Sequence, residues 1–130
     1  MLRAQVESGV VRHLGISISS SYKGILQVDT ASDVGAGAIQ VVYNRLQRKA
    51  EAQFFTDSAR QDLGVLARVP LASGFLSGKY GTDAQFPDTD VRAIWQSDEK
   101  RRQCAEEVEK IRGEVPEGVP MASGELLQGT

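Results

Sequence analysis

One cysteine cannot close an internal disulfide, and the single histidine, His13, has no carboxylate or cysteine partner by spacing. No pair of acids, no metal-ligand spacing and no Ser–His–Asp set is visible along the chain, so no metal is expected. Basic surplus is missing too. The net charge is −2 and the pI about 5.4, which argues against a phosphate-backbone partner and so against nucleic acid. No apolar run approaches the ~18 residues of a membrane span. The first residues, MLRAQVESGVVRHLG, carry no apolar core with a small-residue cleavage site, so no secretory leader and a reducing, cytoplasmic setting are expected. What is present is ordinary for a globular domain: 41% hydrophobic and 25% charged residues over 130 positions, enough for one modest core.

Hydrophobic patterning alternates between the two periods. Leu2–Ser8 reads as a short helix stopped by Gly9, and Val11–Ser19 as a strand. Ser20 and Ser21 offer N-cap oxygens for a second helix carrying Tyr22, Ile25 and Leu26, weakened by Gly24. Ala38–Asn44 is nearly continuously apolar, which predicts a parallel strand covered on both faces. A helix follows over 49–63, with Ala50, Phe54, Phe55, Ala59 and Leu63 as its stripe and Gly64 as its cap. Val65–Val69 is a third strand, closed by Pro70. After a polar loop, Ser97 with Asp98 and Glu99 starts a helix that reaches about Gly113, with Cys104, Val108 and Ile111 on one face and Glu106, Glu107 and Glu109 on the solvated side. Cys104 reads as core filler. Tyr80 and Trp95 read as anchors of the polar loop. Three strand–helix units in succession predict an α/β fold with a parallel sheet.

In such folds ligands gather at the carboxyl ends of strands. Ser17, Gln40 and the Arg68–Ser73 stretch fall there. A serine hydroxyl and a glutamine carboxamide at neighbouring strand ends can together grip a planar amide, since each donates and accepts; they can equally serve loop backbone groups. Residues 74–79, Gly-Phe-Leu-Ser-Gly-Lys, almost spell a phosphate-binding P-loop, but only three residues separate the glycines and Tyr80 replaces the magnesium-binding hydroxyl. Its glycines and Lys79 suit an anion, and they suit a solvated turn as well.

The strand ends, taken in order, resemble the aldo/keto reductase family. VRHLGIS looks like that family's fifth barrel strand, AIQVVYN its sixth and ARVPLASGFLSGKY its seventh. The resemblance covers roughly 5–122 and implies an incomplete (β/α)8 TIM barrel of about three βα units. The family's activity is NADPH-dependent reduction of aldehydes and ketones. By resemblance, Ser17 and Gln40 bond the nicotinamide carboxamide. Arg68 stands where many members stack an aromatic residue on the nicotinamide, although some bacterial relatives share Arg-Val-Pro-Leu. Pro70, Leu71, Ala72 and Ser73 wrap the pyrophosphate of NADP(H), with Lys79 and Arg92 as further contacts. Ile18 replaces an asparagine frequent in the family.

The family's catalytic Asp, Tyr, Lys and His lie on strands that nothing here matches. The expectation is therefore a partial oxidoreductase domain over 1–122, followed by a divergent, truncated tail at 123–130. It would be inactive alone, and a carbonyl substrate would enter only if the rest of the barrel were supplied. Open sheet edges would favour self-association. The rival expectations are a nucleotide-binding regulatory module and the remnant of a disrupted gene.

Overall fold

The computed structural model describes residues 2–19 and 23–123, which divide into two compact units. The expected N-cap serines Ser20 and Ser21, and Tyr22, lie outside the described residues.

The first unit takes residues up to Tyr43 and Gln47–Arg68. It opens with helix α1 (Leu2–Glu7), followed by Gly9 at φ +76°, where glycine avoids the Cβ clash of the left-handed region. Strand β1 (Leu14–Ser17), helix α2 (Lys23–Asp29), strand β2 (Ala36–Val42), helix α3 (Thr56–Arg60) and strand β3 (Gly64–Arg68) complete it. The strands form one parallel sheet in the order β1-β2-β3. Each strand begins and ends within a few residues of its sequence-based range.

β2 departs from the expectation of two covered faces. Ile39 and Val41 are buried, whereas Gln40 between them is exposed. One face of the sheet packs on Val28, Ala31, Ala50, Phe54 and Leu63; the other is open, and there Leu66, the register partner of Gln40, is 60% exposed. An apolar strand thus proved compatible with a single covered face, because the period-2 pleat separates its two sets of side chains.

The helix expected over 49–63 is shorter and less regular. A π-helical segment, Glu51–Phe55, runs into α3, where the buried Ser58 hydroxyl donates to the Phe54 carbonyl at 2.8 Å. Ala59 of the predicted stripe is exposed. The expected cap at Gly64 is also corrected: Asp62 turns the chain at φ +54°, and Gly64 is already in β3. Aspartate tolerates that conformation better than most side chains.

The second unit takes Asn44–Leu46 and the residues from Val69 onward. A kinked pair of tight turns over Ala72–Ser77, broken at left-handed Ser73 and Gly74, buries Phe75 and Leu76 against helix α5 (Asp98–Ile111), through Ala105 and Val108. Cys104, Ile111 and Tyr80 line this core. The Ser97 hydroxyl accepts from the Lys100 amide at 3.3 Å, as an N-cap should. A short helix α4 (Val91–Trp95) precedes α5. No helix among the described residues is long and apolar enough to cross a membrane.

Gly24 proves to be a contact residue rather than a mere weak point. A Cβ there would strike the Ser19 carbonyl oxygen and lie 2.9 Å from Ile18 Cγ2 and 3.1 Å from Phe54 Cζ. In an exposed helix alanine would improve on glycine by about 1 kcal/mol. Here Gly24→Ala overpacks the core and is expected to destabilise by about 1–3 kcal/mol. A urea midpoint equal to or above that of the wild type would contradict this packing.

Candidate functional site

Register decides which side chains share a face. Gly15 pairs with Ala38, Ser17 with Gln40, Gln40 with Leu66 and Val42 with Arg68. Register partners in a parallel sheet point the same way, so Ser17, Gln40 and Arg68 all project from the open face, near the carboxyl ends. The strand ends are tied together there, since the Ile18 amide donates to the Gln40 carbonyl at 2.8 Å and the Tyr43 amide to the Arg68 carbonyl at 3.2 Å. Ser17 and Gln40 are exposed. Arg68 Nε is buried without a hydrogen-bond partner, so a donor waits there for an acceptor. Ile18 is 3% exposed and belongs to the core.

The 69–74 stretch, in the second unit, is built on left-handed backbone. Val69, Ala72 and Ser73 have φ of +59°, +49° and +57°, and Gly74 has +94°. Residues of this kind fold the chain into a tight turn that spends alternate amides on its own carbonyls. The Ala72 amide donates to Val69 O and the Gly74 amide to Leu71 O, at 3.0 and 2.9 Å. Pro70 and Ser73 are exposed, Leu71 packs on the core and Ala72 is buried. Lys79 is exposed just beyond Gly78, which caps the turn at φ +73°. The three-residue glycine spacing therefore serves a 3-10 turn and not a P-loop.

Arg92 is more committed than a phosphate contact need be. Its Nε and one terminal nitrogen reach Asp90 at 2.8 and 2.6 Å, and the Arg92 amide reaches the same carboxylate at 2.9 Å. The guanidinium lies 4.0 Å from the Phe86 ring centre and 4.8 Å from that of Tyr80. Its remaining terminal nitrogen faces the turn, 3.7 Å from where a Cβ on Gly74 would sit. Sequence reasoning missed Asp90, the N-cap of α4. It also missed Arg101, which donates to the Arg92 and Gln96 carbonyls and pairs with Asp98. A polar cleft of about 80 Å³ lined by Thr82, Gln85, Asp98, Arg101 and Arg102 includes none of the candidate cofactor residues.

Other candidates fall away on geometry. His13 is exposed, and burial pushes the Cys104 thiol up, which makes it a poor nucleophile. Among the described residues, no group of three or more His, Cys, Asp or Glu side chains could hold a metal ion.

A parallel strand–helix sheet with polar side chains at its carboxyl ends is the architecture of a TIM-barrel segment. The chain belongs to the aldo/keto reductase family, whose model matches residues 1–122. Among solved structures it is similar to the glycerol dehydrogenase of Gluconobacter oxydans, at 26% identity and a TM-score of 0.67. That likeness covers 94% of this chain and 37% of the dehydrogenase. The chain thus spans little more than a third of that enzyme's length. No curated protein matches it.

The Arg92 side chain and amide hold the Asp90 carboxyl at about 2, below its ordinary 3.8. A lowered carboxylate pKa contributes stability above the ordinary value and loses it as pH falls through the folded one. The Tm of the wild type is therefore expected to fall more steeply than that of Asp90→Asn between pH 3.8 and about 2. Parallel curves would contradict the pairing.

Proposed function

We propose that this chain binds a nicotinamide dinucleotide, NADP(H) by family resemblance, as the cofactor-holding portion of an aldo/keto reductase. The observation that carries the reading is the side-by-side placement of Ser17 and Gln40 on the open face of the sheet. A hydroxyl and a carboxamide so placed complement the nicotinamide carboxamide, donor to acceptor and acceptor to donor. Arg68 lies one register step further along that face, and its unpartnered Nε suits a cofactor oxygen. Pro70, Leu71, Ala72 and Ser73 are assigned to the pyrophosphate. The exposed Ser73 amide and the Lys79 ammonium supply its donors, and Arg92 contributes through the nitrogen that Asp90 leaves.

When bound, the dinucleotide supplies the hydride for carbonyl reduction. The chain's own residues orient the nicotinamide ring and neutralise the diphosphate. None of them stands as a proton donor to a carbonyl oxygen, so these residues alone are assigned binding without turnover. The strands correspond, in this reading, to the fifth to seventh of the barrel. A carbonyl substrate enters only alongside the catalytic Asp, Tyr, Lys and His of the family, which these residues do not supply.

Titration with NADPH, followed by its fluorescence, tests the assignment. Ser17→Ala and Gln40→Ala are each expected to weaken binding about three- to tenfold, the worth of one net hydrogen bond. Nicotinamide absorbance is expected to stay constant when an aldehyde is added. No binding by the wild type would contradict the cofactor reading and favour a remnant, and sustained turnover would contradict the assignment of roles.

A further inference from the structure

Val69 is the most conspicuous backbone residue in the chain. It is β-branched and sits at φ +59°, a conformation that costs such residues more than any others. Something must hold it there. The Val69 carbonyl accepts two hydrogen bonds, one from the Ala72 amide at 3.0 Å and one from Asn44 Nδ2 at 2.9 Å. The Ala72 bond belongs to the turn itself. The Asn44 bond comes from 25 residues earlier in the chain and fixes the turn from outside.

Asn44 is itself over-determined. It is 5% exposed, and its Oδ1 accepts from the Leu46 amide at 3.0 Å, while Leu46 packs on the same core as Leu71, Ala72 and Phe75. The carboxamide therefore cannot rotate without leaving buried groups unpaired. It presents a fixed donor to Val69, and the next positive-φ residues, Ala72, Ser73 and Gly74, follow within five positions.

We propose that Asn44 is a positioning residue: its carboxamide clamps Val69 in the left-handed conformation and so sets the backbone cradle at 70–74. In its functional consequence the proposal rests on the cofactor reading above, because that cradle is the part assigned to the diphosphate. Without the clamp the cradle becomes one conformer among several, and apparent affinity falls by the fraction of molecules that retain it. Glycine at 69 removes the steric reason for the clamp, since it takes positive φ without penalty.

The test uses Asn44→Ala and the double variant Asn44→Ala/Val69→Gly, read by amide hydrogen exchange over 70–76 and by NADPH titration. Asn44→Ala is expected to speed exchange over 70–76 about tenfold, leave α5 protected, and weaken NADPH binding by a similar factor; the double variant is expected to recover most of both. Unchanged exchange and affinity in Asn44→Ala, or a loss of protection that extends equally through α5, would overturn the clamp. Should Asn44→Ala fail to fold, a folded and protected double variant supports the proposal and an unfolded one overturns it. The exchange arm needs no cofactor. A wild type that binds no NADPH therefore sinks the cofactor reading, while the clamp is still decided by exchange.

Discussion

The parallel register of the three strands is the constraint on which the open face depends. Side chains alternate with a period of two, so a slip of one residue in β2 would bury Gln40 and expose Ile39 and Val41. The core prevents that slip. Ile39 and Val41 are almost completely buried among Val28, Ala50, Phe54 and Leu63, and exchanging them with a carboxamide would cost both apolar burial and an unsatisfied amide. The same packing that stabilises the sheet thus delivers Ser17, Gln40 and Arg68 to one side. The grouping of these side chains on one face is a by-product of a register chosen by hydrophobic burial.

A second constraint governs the turn that follows β3. Its backbone is unfavourable at Val69, Ala72 and Ser73, yet its interior is well packed through Phe75 and Leu76. Burial of these two side chains against α5 offsets the local strain, and Asn44 directs where the strain sits. Arg92 and Arg101 contribute differently. Each satisfies carboxylate or carbonyl groups around α4, and the rings of Phe86 and Tyr80 cover the Arg92 guanidinium. Their charge is largely committed to holding the loop, where the Arg92 guanidinium bonds the Tyr80 hydroxyl as well as Asp90.

Much of this was legible in the sequence because it rests on local pattern. Strand positions followed from apolar runs and the α5 start from Ser97 with its acidic neighbours, while the candidate site residues were picked by their places at strand ends. What was not legible depends on contacts between distant residues. Nothing in the chain near Asn44 announces a bond to Val69, and the sequence shows it only as the last residue of an apolar strand. Gly24 looked like a helix weakness because the Ser19 carbonyl and the Phe54 ring that crowd it come from other segments. Gly64 looked like a cap because glycine so often is one, while Asp62 took that role. The one-sided burial of β2 could not be read from composition, since an apolar strand is compatible with either arrangement.

The central claim is that the strained turn at 70–76 holds the cofactor's diphosphate. Hydrogen exchange of the wild-type chain with and without saturating NADPH tests it most directly. The account predicts that NADPH slows exchange at the amides of residues 71–75 and leaves the interior of α5 unchanged. Bound NADPH with unaltered exchange at 71–75 would contradict it.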